Sequence, residues 1–290
     1  MAVGALTLQG FSALAAINFV GSFGCAITGF GENIIFQLGW YWMSLIGLCS
    51  GSLTESVTIL TIIQWPILLT QAAMTWRYVN VTMALVLAVM SSISSAAGVA
   101  ILVRYDSEGL KQLLGATLLC VFLWRLLLDG RGHKVPPPAR FDVWSWPNCP
   151  MLMTTGTLSG LLGGLFSTPG PPNMVFVLLA NVGKDEWRST QAVVGLIQLP
   201  VRLLALLFED PGEGLWRLWP ACSVSLAFGL IGTVVGNFAA PYVSEAAFRA
   251  VIMGFLLGGG LSMLAGHAGA LQLTPRLVLL VVAVAAVLLA

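Results

Sequence analysis

Residues 156–183 read GTLSGLLGGLFSTPGPPNMVFVLLANVG, a stretch of membrane-helix character interrupted in its middle. Gly156, Ser159, Gly160, Gly163, Gly164 and Ser167 put small residues on one face of its first half. The run Ser167-Thr168-Pro169-Gly170-Pro171-Pro172-Asn173 follows, and an apolar segment resumes at Met174. Proline has no amide proton and clashes with the turn before it, so this run predicts the end of one helix and the start of another. Backbone freed of its hydrogen bonds at membrane depth is tolerated only inside protein or along a cavity. Secondary transporters build midplane binding sites from such broken helices, and the stretch predicts a site of that kind.

The composition agrees with a membrane setting. Only 9% of residues are charged, against roughly 25% in soluble domains, which predicts an all-α, multi-pass membrane protein, with the plasma membrane as the expected location. A net charge of +1 argues against a nucleic-acid partner. Residues 1–11 show neither a basic region nor a convincing small-residue cleavage site, so no cleaved signal peptide is expected. Cys25, Cys49, Cys120, Cys149 and Cys222 form no C-x-x-C pair and read as buried small apolar residues. His133 and His267 are far apart and short of nearby carboxylates, so no metal, cofactor or catalytic centre is expected. No phosphate-binding loop and no nucleophile beside a base are visible, which argues against an enzyme.

Apolar segments at 10–43, 53–75, 79–103 and 107–128 form a first half, residues 1–128. The first of them is interrupted at Thr28-Gly29-Phe30-Gly31-Glu32-Asn33. Ser52 and Glu55 open the second as a capping box. Residues 129–149, the only long polar stretch, read as a linker carrying Arg131, His133, Lys134 and Arg140. A second half, 150–266, holds the interrupted stretch and segments at 189–208, 215–238 and 244–265; a tail, 267–290, contains a short helix at 276–290.

The halves match. Ile63-Gln64-Trp65-Pro66 recurs as Ile197-Gln198-Leu199-Pro200, Ser107-Glu108 as Ser244-Glu245, and Gly98 has its counterpart in Gly236. Each half carries one Gly/Pro-interrupted segment in the corresponding place, the arrangement expected of a transporter built from two structural repeats. If the broken segments cross the membrane the repeats are parallel, and Lys and Arg divide almost evenly between its faces. If they are re-entrant the repeats are inverted. Arg77, Arg125, Arg131, Lys134, Arg140, Lys184, Arg188 and Arg249 then share one face against Arg104, Lys111, Arg217 and Arg276. The positive-inside rule favours the inverted arrangement, with the linker cytoplasmic and the acidic loop 209–213 outside.

At the second break, Gly160-Leu161-Leu162-Gly163-Gly164-Leu165-Phe166-Ser167-Thr168-Pro169-Gly170-Pro171-Pro172 resembles the G-L-x-G-G-x-F/L-G-T-G-G-P-P signature of the TauE/SafE sulfite and sulfonate exporters. Gly29-Phe30-Gly31 stands where that family has its N-terminal glycine-rich copy, and Gln198-Leu199-Pro200-Val201-Arg202 where it has a polar helix. The resemblance implies a secondary transporter of sulfite, sulfonates or similar small anions. Glu32 and Asn33 in the first signature, and Ser167 and Pro169 in the second, replace glycines of the family pattern.

The residues themselves indicate how such an anion is held. Helix N-termini after Gly31 and Pro172 offer unpaired amides and partial positive charge, and small residues there let an anion approach the backbone. Thr28, Gly29, Gly31, Asn33, Ser167, Thr168, Pro169, Gly170 and Asn173 are the candidates at the breaks, and close helix packing is the alternative role for their small side chains. Gln64 and Gln198 donate either to the anion or to the carbonyl left free by the proline that follows. Arg202 is a candidate fixed positive charge, or else an anchor reaching toward Glu209. Glu32 is a candidate carrier of a coupling proton, since a permanent carboxylate beside an anion site repels the substrate; pairing with Arg202 or with the helix dipole is its alternative. Glu55, Glu108 and Glu245 read as helix caps. An anion channel on the same scaffold and a non-transporting membrane scaffold are the competing functions. The glycines at 254 and 258–260 suit packing within the monomer or across a homodimer.

Overall fold

The computed structural model describes residues 8–29, 31–49, 53–105, 107–130, 142–144, 148–180, 182–209, 214–240, 242, 257–258, 260–261 and 264. Nine α-helices occupy the described residues: α1 (Leu8–Thr28), α2 (Glu32–Leu45), α3 (Leu53–Thr75), α4 (Val81–Arg104), α5 (Ser107–Gly130), α6 (Asn148–Phe166), α7 (Gly170–Ala180), α8 (Lys184–Glu209) and α9 (Gly214–Ala239). Six of them, α1, α3, α4, α6, α8 and α9, are long and apolar enough to cross a bilayer. Leu85, Val89 and Ile93, one turn apart and 52–70% exposed on α4, form the kind of outward apolar face that lipid covers.

α3 coincides with its expected segment. α4 starts two residues later than its apolar run, because the Asn80 side chain caps it by accepting from the Met83 amide at 3.1 Å. α8 begins at Lys184, a turn before the expected start, with Asp185 and Glu186 in its first turn, where carboxylates complement the helix dipole. α5 continues to Gly130, past the expected start of the linker. Ser52 of the expected capping box, most of 244–265 and the tail helix at 276–290 lie outside the described residues.

The second break is shorter than its prolines imply. α6 ends at Phe166 and α7 restarts at Gly170, so Pro171, Pro172 and Asn173 belong to the first turn of α7. The first amides of a helix have no intrahelical partner, and proline there removes nothing. The helix N-terminus expected after Pro172 therefore lies at Gly170.

Both broken segments fold back. Glu32 at the start of α2 bonds Ser22, while Gly39 further along packs on Ile17, so α2 returns alongside α1. Ser159 of α6 donates to the Pro169 carbonyl at 3.1 Å across the second turn. α1, α3 and α9 run in one direction. Asn18 meets Ser225 and Gly236 packs on Phe23, while Gly229 packs on Ile67 and Asn237 bonds Gln71. α8 runs opposite to α3, as the contacts of Gln64 with Arg202 and of Leu68 with Gly195 require. α4 and α6 run side by side in register: Gly156 faces Leu87 and Met90, Gly160 faces Ser91, and Gly164 faces Gly98.

At that last pair only hydrogen fits. A Cβ on either Gly98 or Gly164 would fall 2.9 Å from the other glycine's Cα. Gly236 makes the equivalent approach to α1, where a Cβ would lie 2.8 Å from that of Ala26. Gly260 packs within the chain, against Leu119 of α5. At the end of α3 and α8 where Val57 and Leu206 lie, a core including Ile34, Leu165 and Phe166 closes the bundle.

Candidate functional site

A helix leaves its last four carbonyls without intrahelical partners, and the two breaks create two such ends inside the protein. At the end of α6, Gly163 O accepts from Arg202 Nη1 at 2.8 Å, and Phe166 O accepts from Gln37 Nε2 at 2.9 Å and from the Thr168 hydroxyl at 2.8 Å. At the end of α1, Cys25 O accepts from the Gly29 amide at 2.7 Å and Ala26 O from Arg188 Nη1 at 3.0 Å. Both broken helices are thus capped by guanidinium groups from one helix, α8, and a cation at a helix C-terminus is favourable in itself.

The turns need left-handed backbone. Gly29 and Gly31 adopt φ of 79° and 105°, and Ser167 adopts 58° without glycine's freedom. Gly29 also lies against α8, where a Cβ would sit 2.8 Å from Arg188 Cα.

Between the breaks is a cavity of about 70 Å³. Gly29, Gly31, Glu32, Asn33, Gln64, Thr168, Pro169, Gly170, Asn173, Gln198 and Arg202 line it, so the structure brings together most of the residues singled out in the sequence. Two are not among these. The Thr28 side chain lies outside the described residues, and Ser167 is buried at the turn without facing the cavity, its hydroxyl unpartnered. The sequence reading missed Arg188, Gln191 and Gly195 of α8 and Gln71 of α3, which also line it. With Gln198 and Arg202 the α8 residues form one face at helical spacing, 188-191-195-198-202, and Gln64 and Gln71 do the same on α3.

Arg202 is 1% exposed. Its Nη1 bonds Gly163 O and its Nη2 bonds Gln64 Oε1 at 3.2 Å, while its Nε has no partner. It therefore points at the break and forms no ion pair with Glu32; the Glu209 side chain lies outside the described residues. Gln64 spends its amide on Arg202 and on Asn33 Oδ1, to which its Nε2 donates. The carbonyl that Pro200 leaves free on the turn before it, Leu196 O, accepts from Trp65 Nε1 at 3.3 Å instead of from a glutamine. Gln198 is the member of the glutamine pair left over: it is buried, lines the cavity, and its Nε2 has no partner.

Glu32, 2% exposed, accepts from the Ser22 hydroxyl at 2.6 Å on Oε1, and its Oε2 has no partner; nor has Asn173 Oδ1. Buried polar atoms are normally satisfied, and Glu32 Oε2, Asn173 Oδ1, Gln198 Nε2 and Arg202 Nε are four unpartnered ones that share this cavity.

Apolar helices long enough to span a bilayer surround a cavity with polar and apolar lining, closed by two fold-back segments, as in an integral, multi-pass membrane protein. Residues 13–263 match the family model of the sulfite exporter TauE/SafE, and the chain belongs to that family. No curated protein and no solved structure matched the chain.

Proposed function

We propose that the protein is a secondary carrier of small sulfur oxyanions, with sulfite as the representative substrate, and that it works by alternating access around the two helix breaks. The observation that carries this reading is the unpartnered pair of donors, Arg202 Nε and Gln198 Nε2, buried at one cavity between the breaks. The guanidinium has five N–H donors, and two of them are used, on Gly163 O and Gln64 Oε1. Sulfite oxygens accept hydrogen bonds only, and the α2 and α7 N-termini add oriented amides.

Arg202 is the fixed positive charge, Gln198 and Thr168 flank it, and Gln64 orients the guanidinium. Gly29, Gly31, Pro169 and Gly170 shape the turns, and Asn33 and Asn173 complete the polar wall. Glu32 is the proton-coupling group. Its Oε2 has no hydrogen-bond partner, and a neutral carboxyl leaves Arg202 free to hold an anion.

The helix directions support inverted repeats. Exchanging α1, α3 and α4 with α6, α8 and α9 turns each into a helix running the other way, while Gly98 on α6 becomes Gly236 on α1. Alternating access then consists of the two halves exchanging conformations across the plasma membrane, with the 129–149 linker on the cytoplasmic side. The test is flux of labelled sulfite into proteoliposomes, with sulfate, taurine and acetate as competitors. Sulfite uptake that is lost in Arg202→Met is the expected result. Absence of both uptake and anion-dependent stabilisation in the wild type overturns the proposal.

A further inference from the structure

Arg202 lies deep in the cavity, but the same wall carries a second guanidinium. Arg188 is 14 residues earlier on α8, about 21 Å along the helix at 1.5 Å per residue, and it occupies the same face. Gln191, Gly195 and Gln198 lie between the two arginines on this face, with the Leu68 side chain of α3 packed on Gly195 between the two glutamines. The opposite wall supplies Gln71, 4% exposed, whose Oε1 accepts from Asn237 at 2.6 Å and whose Nε2 has no partner. Gln191 Nε2 is likewise buried without a partner.

Arg188 Nη1 donates to Ala26 O at 3.0 Å, and its Nε lies 3.0 Å from Asp185 Oδ1 in an ion pair without hydrogen-bond geometry. Its side chain is 11% exposed and that of Asp185 is 55% exposed. Arg188 therefore stands between solvent and the cavity, near the start of α8 and the end of α3. The apolar core around Phe166 and Leu206 closes the other end.

We propose that Arg188, with Gln71 and Gln191, forms an outer anion station through which the substrate passes between Arg202 and the membrane face that carries the linker. The inference rests on the carrier reading above. An anion arriving from that face meets Arg188 first and exchanges with Asp185 for a share of its donors. It then moves along Gln191 and Gln198 to Arg202 as the Leu68 side chain between them turns aside. Asp185 is the competing anion that keeps the outer station weak enough to release its occupant in either direction.

The alternative is that Arg188 only caps the end of α1, and the two roles predict different kinetics. Labelled sulfite uptake into inside-out membrane vesicles, in which the linker face is outside, is measured at several ionic strengths. Arg188→Gln raises KM about tenfold, the scale of one hydrogen bond to a charged group, more than it lowers the maximal rate, and it flattens the salt dependence. Arg188→Lys restores most of both. Asp185→Asn, at an exposed position that leaves the Ala26 cap in place, lowers KM. A wild-type KM and salt dependence in Arg188→Gln and Asp185→Asn overturn the outer station and leave the carrier standing. If Arg188→Gln does not fold, Asp185→Asn decides alone: an unchanged or raised KM overturns the station. A wild type that moves no sulfite overturns both readings.

Discussion

Replacing Arg202 by methionine separates what the guanidinium does for the fold from what it does for a ligand. The side chain is 1% exposed and, among the described residues, has no carboxylate in ion-pair contact. Its two hydrogen bonds, to Gly163 O at 2.8 Å and Gln64 Oε1 at 3.2 Å, are of the charged kind. At about 1.5–3 kcal/mol each, their loss costs about 3–6 kcal/mol. Against that stands the desolvation of a buried charge, several kcal/mol after relaxation, which no counter-ion among the described residues offsets. Methionine fills similar volume and adapts to an irregular wall. The two terms nearly cancel, so the ligand-free variant should unfold within about 2 kcal/mol of the wild type.

With sulfite the two proteins should part. A ligand at about 100 times its Kd stabilises the folded state by about 2.7 kcal/mol, which raises the wild-type melting temperature and does nothing for Arg202→Met. Tryptophan fluorescence during thermal unfolding in detergent, with and without sulfite, is the assay. A variant that loses more than about 4 kcal/mol without ligand, yet keeps the full sulfite shift, would make Arg202 a helix cap and refute the reasoning.

Three further outcomes follow from the same geometry. Glu32→Gln keeps the hydrogen bond to Ser22 but cannot carry a proton, so transport should persist with its pH dependence lost; pH-jump flux measurements that match the wild type refute the coupling role. Ser167→Gly removes a left-handed φ of 58° and a buried unpartnered hydroxyl, and should stabilise the protein by about 1 kcal/mol in thermal unfolding, since glycine's extra chain entropy offsets part of the gain. Gly98→Val drives its Cβ to within 2.9 Å of Gly164 Cα. It should separate α4 from α6 at a cost of about 3 kcal/mol or more, read as loss of monodisperse protein in detergent, whereas Gly109→Val, at a position with nothing near its Cβ, should be tolerated.

Much of the fold was legible because membrane helices announce themselves by length and apolarity. α3 falls on the stretch its apolar run marks out, and both breaks were visible in their glycines and prolines. The extent of the second break was misread for a specific reason. Pro171 and Pro172 look like helix breakers in sequence, but at the first turn of α7 they cost no hydrogen bond. Arg188 was misplaced by the same kind of boundary effect. An arginine at the edge of an apolar run reads as a loop charge, and only the extra turn of α8 from Lys184 brings it onto the face shared with Gln198 and Arg202. The partners of Gln64 could not be read at all, because they come from α2 and α8 and depend on how the first hairpin folds back.

The capping pattern bears on how the cavity could change state. Both helix ends created by the breaks are held by α8, one through Arg202 and one through Arg188. An anion that draws on either guanidinium competes with a helix-end carbonyl for its donors. Occupancy and the conformation of the break are then linked by the same hydrogen bonds, and a ligand shifts a conformational equilibrium only through such differential contacts. The broken segments carry the small and left-handed residues that permit a rearrangement, while Gly98 and Gly164 lock α6 to α4 and Gly236 locks α1 to α9. Motion should therefore concentrate in α2, α7 and the turns before them, against a frame formed by the glycine-packed pairs.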